Sequence, residues 1–579
     1  MERTLATSAS FIYLARRKRG FTKEEIGVIT RKNHAVYPPE RLLREIRDEF
    51  QPEEKRLIVA ALLNGLETDL QTPVGEYDHF DWVYLDSVSG ARIYRQSVVF
   101  LLVTAVKELY PKAEVIVRFT ANKGLYCDIN GLAAITPAIV REISDRMNAI
   151  VAEDRPIIKK HLPREEAVAL FKQSRQIAKA NLIAAIPQDT VSIYYCGAVY
   201  DYLYSAMLDT TGVLGEFILE PCDVGVLLRT VEHGVIPVRV EQPKFHQILT
   251  ESKRWAAILH CDYLPDLNRY VRQGKSGDIV RVSEALHEKK IAEIADEIKE
   301  NIQERRIVLI AGPSSSGKTS FAQRLKVQLR VNGLEPVSIS LDNYFVDREK
   351  TPLTPDGKYN YEALNALDLP LFNQQLLDLV AGREILLPHY DFITGRQELN
   401  ASDPVSIAPE QPVILEGIHA LNEALTASVP RGQKFKIYIS ALTQLNMDAH
   451  NRIHTTDARL LRRLVRDFKY RGAKALRTLR IWPIVRQGEE TNIFPFQEDA
   501  DAVFNSALIY ELAVLKKHAI PLLADIEEQE PEYAAAQELL TFLTYFESLE
   551  EEEIIPNNSI LREFIGSSCF FDNEGELKK

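Results

Sequence analysis

The chain is poor in the residues that would tie it to several common classes. Its 579 residues include only five cysteines, four methionines and three tryptophans. The cysteines (Cys127, Cys196, Cys222, Cys261 and Cys569) are scattered, with no C-x-x-C pair. That pattern excludes a disulfide scaffold and a structural zinc site, and it fits a reducing, cytoplasmic setting. No apolar run approaches the roughly 18–20 residues that span a bilayer, so no membrane partner is expected. The first basic cluster, Arg16–Arg19, follows a weak apolar stretch instead of preceding it, so no secretory signal is read there. Basic residues are also in deficit: 70 Lys and Arg stand against 82 Asp and Glu, a net charge of -12. Nucleic acid is therefore a disfavoured partner, because phosphate contacts need clustered Lys and Arg. Arg16–Arg19 reads as a solvated face.

What is present is an ordinary globular composition, 46% hydrophobic and 26% charged, long enough for about three or four domains. There is no fixed-period repeat, which argues against a solenoid. Residues 1–88 read as a small β-rich unit with a helix around 40–50 and strands near 57–65 and 81–87. From 89 to 275 helix and strand alternate. Helices are expected over 97–111, 137–154 and 164–180, and strands over 113–120 and 124–129. The 137–154 helix places Ile139, Ile143, Met147, Ile150 and Val151 on its apolar stripe. A charged helix over 284–306 reads as a connector. Residues 307–530 then run strand, glycine loop, helix, strand, helix, the order of a mostly parallel α/β sheet. A C-terminal helix over 533–553 and a tail complete the chain from 531 to 579.

The most specific signal is IVLIAGPSSSGKTS at 307–320. The loop comprises Gly312, Pro313, Ser314, Ser315, Ser316, Gly317, Lys318, Thr319 and Ser320, spaced G-x-x-x-x-G-K-T. A buried strand precedes it and a helix follows. Glycines let backbone N–H groups converge on phosphate oxygens, and the helix N-terminus adds partial positive charge. Lys318 is placed to reach the β- and γ-phosphates of ATP, and Thr319 to ligate Mg²⁺. The next strand, PVSISLDNYF at 336–345, is read as closing on Asp342. Ligands of open parallel sheets bind beyond the carboxyl ends of the strands, where Asp342 could take a hydroxyl proton or support the metal. A later strand, PVILEG, ends in Glu416, a second candidate for orienting the metal.

The segment TTDARLLRRLVRDFKYRG at 455–472 forms a helix with Leu461, Leu464, Val465 and Phe468 as its apolar stripe. Arg459, Arg463 and Arg466 share another face, and Arg471, Arg477, Arg480 and Arg486 follow. Like charges at i, i+4 repel, and an anion relieves the repulsion. Such a segment reads as a lid that neutralises transferring phosphate.

Together these motifs resemble the uridine kinase and phosphoribulokinase family over roughly 305–525. The likeness rests on GPSSSGKTS, LDNYF (341–345), NYEALNALDL (360–369), LPHYDFITG (387–395), ILEGIHALN (414–422) and RRLVRDFKYRG (462–472). The resemblance implies Asp342 as catalytic base, Glu362 and Tyr390 as nucleoside contacts, and Arg463, Arg466 and Arg471 as phosphate contacts. Glu362 stands where uridine kinases usually carry Asp, and Gly395 where they carry a base-contacting histidine. It therefore supports phosphoryl transfer more firmly than it supports uridine.

Residues 56–130, with CGAVYDYLYSAML at 196–208, resemble the N-terminal ubiquitin-like and editing region of threonyl-tRNA synthetase. That editing site uses an H-x-x-x-H and a C-x-x-x-H pair. Here the aligned positions are Gln96, Phe100, Leu203 and Met207, so the resemblance carries the fold and not the hydrolase. The combination, with PNNSILREFIG at 556–566, resembles bacterial two-part proteins described as nucleoside kinases. The expected protein is an ATP- and Mg²⁺-dependent kinase acting on a small-molecule hydroxyl, with a nucleoside 5′-hydroxyl as leading acceptor. A sugar or sugar-phosphate acceptor is the alternative within the class, and a nucleotide-gated RNA-binding or regulatory protein the alternative outside it. A homo-oligomer is left open.

Overall fold

Burial on both faces shapes the central sheet, because most residues of its five short strands are buried. The computed structural model describes residues 40–572 and 577, apart from 76–78, 122, 223–224, 233, 355–356 and 392–393. The Arg16–Arg19 run lies outside these residues. The strands are β1 (Ile307–Ala311), β2 (Val337–Ser340), β3 (Val413–Glu416), β4 (Lys434–Ser440) and β5 (Ala502–Asn505), in the order β2-β3-β1-β4-β5. Every pairing among them is parallel. A parallel sheet needs both faces covered, and continuous apolar runs such as the wholly buried IVLIA of β1 meet that need. The fold is thus α/β in this half.

The charged helix expected over 284–306 spans Ser276–Glu300 and packs against α1 (Lys318–Val331). Ile279, Val280, Ile291, Ile294 and Ile298 are buried in the same apolar core as Val308, Ile310 and Phe321. The i, i+3, i+7 spacing of the isoleucines, diluted by Glu and Lys on the outer face, makes this a layer helix.

The N-terminal half is mixed α and β. Ile58–Leu63 pairs antiparallel with Leu66–Thr68 and Phe80–Tyr84. Phe217–Cys222, Gly225–Thr230, Gly124–Asn130 and Glu114–Ala121 form a four-stranded antiparallel sheet in that order. The helix expected from 97 begins at Val88 and ends at Leu109, because the Ser87 side chain accepts a hydrogen bond from Gly90 N–H at 3.0 Å and caps it there. The expected 164–180 helix is two helices, Arg164–Gln173 and Ile177–Ala184. Arg175 between them takes a left-handed φ of 62°, which no continuous helix tolerates. The C-terminal helix stops at Thr544 instead of 553. Among the described residues no helix is long and apolar enough to cross a membrane.

Candidate active site

The phosphate loop joins β1 to α1 at the carboxyl edge of the sheet, with two left-handed residues in it: Ser315 at φ 58° and Gly317 at φ 80°. A side chain at Gly312 would place its Cβ 2.3 Å from the carbonyl oxygen of Ile439, so only glycine lets the loop pass β4 this closely. The Lys318 ammonium donates to the carbonyls of Gly312 at 3.0 Å and Pro313 at 3.3 Å. Burial pushes its pKa below the usual lysine value, against the charges of Glu416 and Asp342. Ser315 Oγ and Ser316 Oγ are buried with no hydrogen-bond partner.

Register brings the acidic residues together. Ile310 of β1 and Ser340 of β2 both stand beside Glu416 of β3. Ser340 Oγ donates to Glu416 Oε1 at 3.0 Å, and Thr319 Oγ1 lies 3.5 Å from the same oxygen. Burial first, then the Asp342 charge, pushes the Glu416 carboxyl up to about 7. Asp342 does not close β2 as expected. The strand ends at Ser340, and Asp342 is exposed in the 3-10 turn Leu341–Tyr344 that follows. Its N–H donates to Ser340 Oγ at 3.4 Å, so one serine bonds the Glu416 carboxylate and the Asp342 backbone. Among the described residues no group of three His, Cys, Asp or Glu side chains is set to hold a metal ion. The oxygen donors of Thr319, Glu416 and Asp342 nevertheless suit Mg²⁺, which takes one or two carboxylates and keeps several waters.

The arginine helix is α2 (Thr455–Arg471), followed by α3 (Ala475–Asn492). Two expectations for it need correction. Phe468 is 53% exposed and leaves the apolar stripe, while Leu461, Leu464 and Val465 stay buried. Arg459 turns into the protein and pairs with Glu489 of α3 instead of waiting for an outside anion. Its Nε donates to Ser314 O at 3.0 Å. The neighbouring Arg462, fully buried, pairs with Glu511 and donates to Ser315 O at 3.2 Å. Arg463 Nη1 donates to Ser314 Oγ at 2.6 Å. Arg463, Arg466 and Arg471 all face Asp467, at 3.2, 2.7 and 3.7 Å. Three guanidiniums on one carboxylate leave a positive excess. Accordingly the positive charge of Arg466 brings Arg471 down to about 10. Burial opposes ionisation of Asp467, yet the arginines hold its carboxyl below the usual range.

The two nucleoside candidates have different surroundings. Burial pushes Glu362 up to about 7, with Arg463 opposing, and its Cβ lies where Gly488 of α3 leaves room. Tyr390 is 2% exposed, with its ring 5.5 Å from Phe345. Gly395 takes φ 73°, and the guanidinium of Arg348 fills the space a Cβ there would need. Sequence reasoning missed Ser340, Glu489 and Arg462. Ser340 carried a usable signal, its place at the end of a strand beside the phosphate loop. Glu489 carried none.

Three of the four editing-site positions are sealed in one apolar core, and Gln96 is half-buried. Phe100, Leu203 and Met207 are each no more than 2% exposed. Ser97 Oγ points at the Met207 sulfur at 3.9 Å, and Gln96 Nε2 donates to His450 O at 3.4 Å.

Sheet order, glycine loop and following helix define an α/β P-loop fold. Residues 307–510 match the sequence model of the Phosphoribulokinase / Uridine kinase family. The N-terminal region is similar to threonine–tRNA ligases. It is 34% identical over 182 residues to that of Bacillus velezensis, covering 31% of this chain and 28% of the ligase. It is 35% identical over 174 residues to threonine–tRNA ligase 1 of Bacillus subtilis, covering 30% and 27%. This chain therefore spans little more than a quarter of the length of those curated relatives. Among solved structures, D-glycerate 3-kinase from Cryptococcus neoformans var. grubii aligns with 16% identity and a TM-score of 0.21, over 44% of this chain and 87% of that one.

Proposed function

We propose that the protein is a kinase that moves the γ-phosphoryl group of ATP to a hydroxyl of a small molecule, with a nucleoside 5′-hydroxyl as the leading acceptor. One observation carries this reading. A phosphate loop, a serine that bonds both the Glu416 carboxylate and the Asp342 backbone, and an arginine-rich helix meet at the carboxyl edge of a parallel sheet. Phosphoryl transfer is catalysed mostly by positioning and charge stabilisation, and these residues supply both. The loop N–H groups and Lys318 bind and orient the phosphates. Asp342, exposed beside the loop, takes the proton of the attacking hydroxyl. Arg463, Arg466 and Arg471 offset the charge that builds on the transferring group. Thr319, Glu416 and Asp342 would hold Mg²⁺, which supplies further neutralisation of phosphate charge when bound. Glu362 and Tyr390 line the acceptor side.

Arg348 favours a second acceptor class. Its Nε donates to Tyr361 OH at 3.2 Å and its guanidinium covers Gly395. A fixed cation there suits an acceptor that already carries phosphate, as a sugar phosphate does. The deciding experiment is ADP release by the full chain, with ATP and Mg²⁺, across a panel of nucleosides and pentose phosphates. Turnover with a nucleoside supports the leading reading and turnover with a sugar phosphate the second. No acceptor-dependent release from either panel would overturn both.

A further inference from the structure

The C-terminal segment 556–566 packs against the phosphate loop. Glu563 accepts two hydrogen bonds from Ser320, the last loop residue: from its hydroxyl at 2.7 Å and from its backbone N–H at 3.2 Å. That N–H is one of the free donors in the first turn of α1, where the helix dipole also favours an anion. Ile560 lies over Gly317, so close that a Cβ on the glycine would stand 2.4 Å from Ile560 Cγ2. Phe564 packs its ring 5.0 Å from the Arg462 guanidinium, and Lys469 of α2 donates to Ile565 O. The segment is thus fastened to the loop, to α1 and to the arginine helix at once. Ile560, Leu561, Phe564 and Ile565 are all buried, so the contact is not a loose tail.

A carboxylate on the N-terminus of the loop helix occupies a place chemically suited to a phosphate oxygen. Backbone N–H groups of such a loop are the ones that cradle the phosphates of a nucleotide. Glu563 also adds negative charge beside Glu416 and Lys318. A polyanion arriving at this loop meets a like charge already hydrogen-bonded to its donors.

We infer that Glu563 is an internal competitor for the phosphate of a nucleotide, and that the 556–566 segment must release Ser320 before a nucleoside di- or triphosphate can seat fully on the loop. The chain therefore holds its own site in a restrained state. This inference rests on the nucleotide reading of the loop given above. It adds that the C-terminal segment sets the affinity.

The test is ADP–Mg²⁺ binding by the full-length protein, measured by titration calorimetry on wild type, Glu563→Ala, Glu563→Gln and Lys318→Ala. Losing a hydrogen-bonded charge that competes with the ligand should tighten the ADP Kd by about ten- to a hundredfold in Glu563→Ala. Glu563→Gln, which keeps the shape and loses the charge, should tighten it in the same direction. It serves as the readout if the alanine variant does not fold. Lys318→Ala should weaken binding. An unchanged or weaker Kd in the Glu563 variants, with Lys318→Ala weakened, would overturn this inference and leave the nucleotide reading standing. ADP binding by Lys318→Ala equal to wild type would overturn the nucleotide reading and this inference with it.

Discussion

Arg459 and Glu489 form an ion pair sealed beneath the phosphate loop, with side chains 2% and 0% exposed. Glu489 also accepts from the Ser314 N–H at 2.9 Å and from Arg486 at 2.8 Å, while Arg459 donates to the Ser314 carbonyl. Both peptide groups of one loop residue are thereby held by a pair that bridges two helices. Removing one partner of a buried pair leaves the other charge uncompensated, a cost of about 3–5 kcal/mol. Glu489→Gln should lower the melting temperature and weaken ADP binding together. Replacing both residues by apolar ones, Arg459→Met with Glu489→Leu, should recover much of the stability and not the binding. Thermal melts beside nucleotide titrations distinguish the two effects. Equal recovery of both would show that the pair holds only the helices.

Lys318→Ala should abolish turnover and leave the fold intact. Lys318 bonds only loop carbonyls, so its loss removes no apolar packing. Its ammonium is what meets the transferring phosphate. Circular dichroism and ADP release on one preparation check both halves. Near wild-type turnover would remove the loop from the mechanism.

The N-terminal half should not hydrolyse mischarged tRNA. Phe100, Leu203 and Met207 form a dry apolar cluster, and the amide of Gln96 is turned to a backbone carbonyl. None of these side chains can take or give a proton to activate water as a His or Cys does. Enzyme-dependent deacylation of a mischarged tRNA, above a heat-killed control, is the result that would contradict this.

The phosphate loop and the parallel order around it were legible because a strand-glycine-helix transition leaves marks in a single sequence. The α2 helix was legible too, from its period, but its use of charge was not. Arg459, Arg462 and Arg463 look alike in sequence, yet only the fold tells that Glu489 and Glu511 lie opposite the first two. Those partners come from 30 and 49 residues away, beyond any local pattern. Asp342 was found by its motif, but its place in a turn after β2 depends on Ser340 accepting its N–H. The Ser276–Glu300 helix reads in sequence only as a charged connector because charge dominates its composition, while the isoleucine stripe carries its packing.

Acid should destabilise the fold through buried imidazoles. Burial lowers His419 to about 4, with a backbone hydrogen bond at Ala363 opposing, and lowers His450 and His454 to about 3. Unfolded histidine titrates near 6.5. Between these values the unfolded chain binds protons that the folded chain refuses, so stability is present above about 6.5 and falls as pH drops toward 4. Each such histidine contributes a slope of about 1.4 kcal/mol per pH unit in that window. His419→Gln should flatten the fall measured by denaturant melts between pH 6.5 and 4.5. An unchanged slope would show that His419 is not a source of it.

Asp342 is exposed at the carboxyl edge of the sheet, and Ser340 ties its backbone to the oxygen that also faces Thr319. If it takes the proton of the attacking hydroxyl, Asp342→Asn should lower kcat by about 10²–10⁴-fold, the usual worth of a general base, with little change in KM for ATP. The amide keeps the shape but cannot accept the proton. A role confined to supporting Mg²⁺ gives a different result, because raising Mg²⁺ would then restore much of the rate. A purely structural role is also separable. The side chain is exposed, so a structural aspartate would change the melting temperature while leaving kcat near normal in the folded fraction. One variant measured for kcat, Mg²⁺ dependence and melting temperature therefore distinguishes three roles. Normal kcat at ordinary Mg²⁺ would take Asp342 off the list of catalytic residues and move the search for a base to Glu362, whose carboxyl burial raises to about 7.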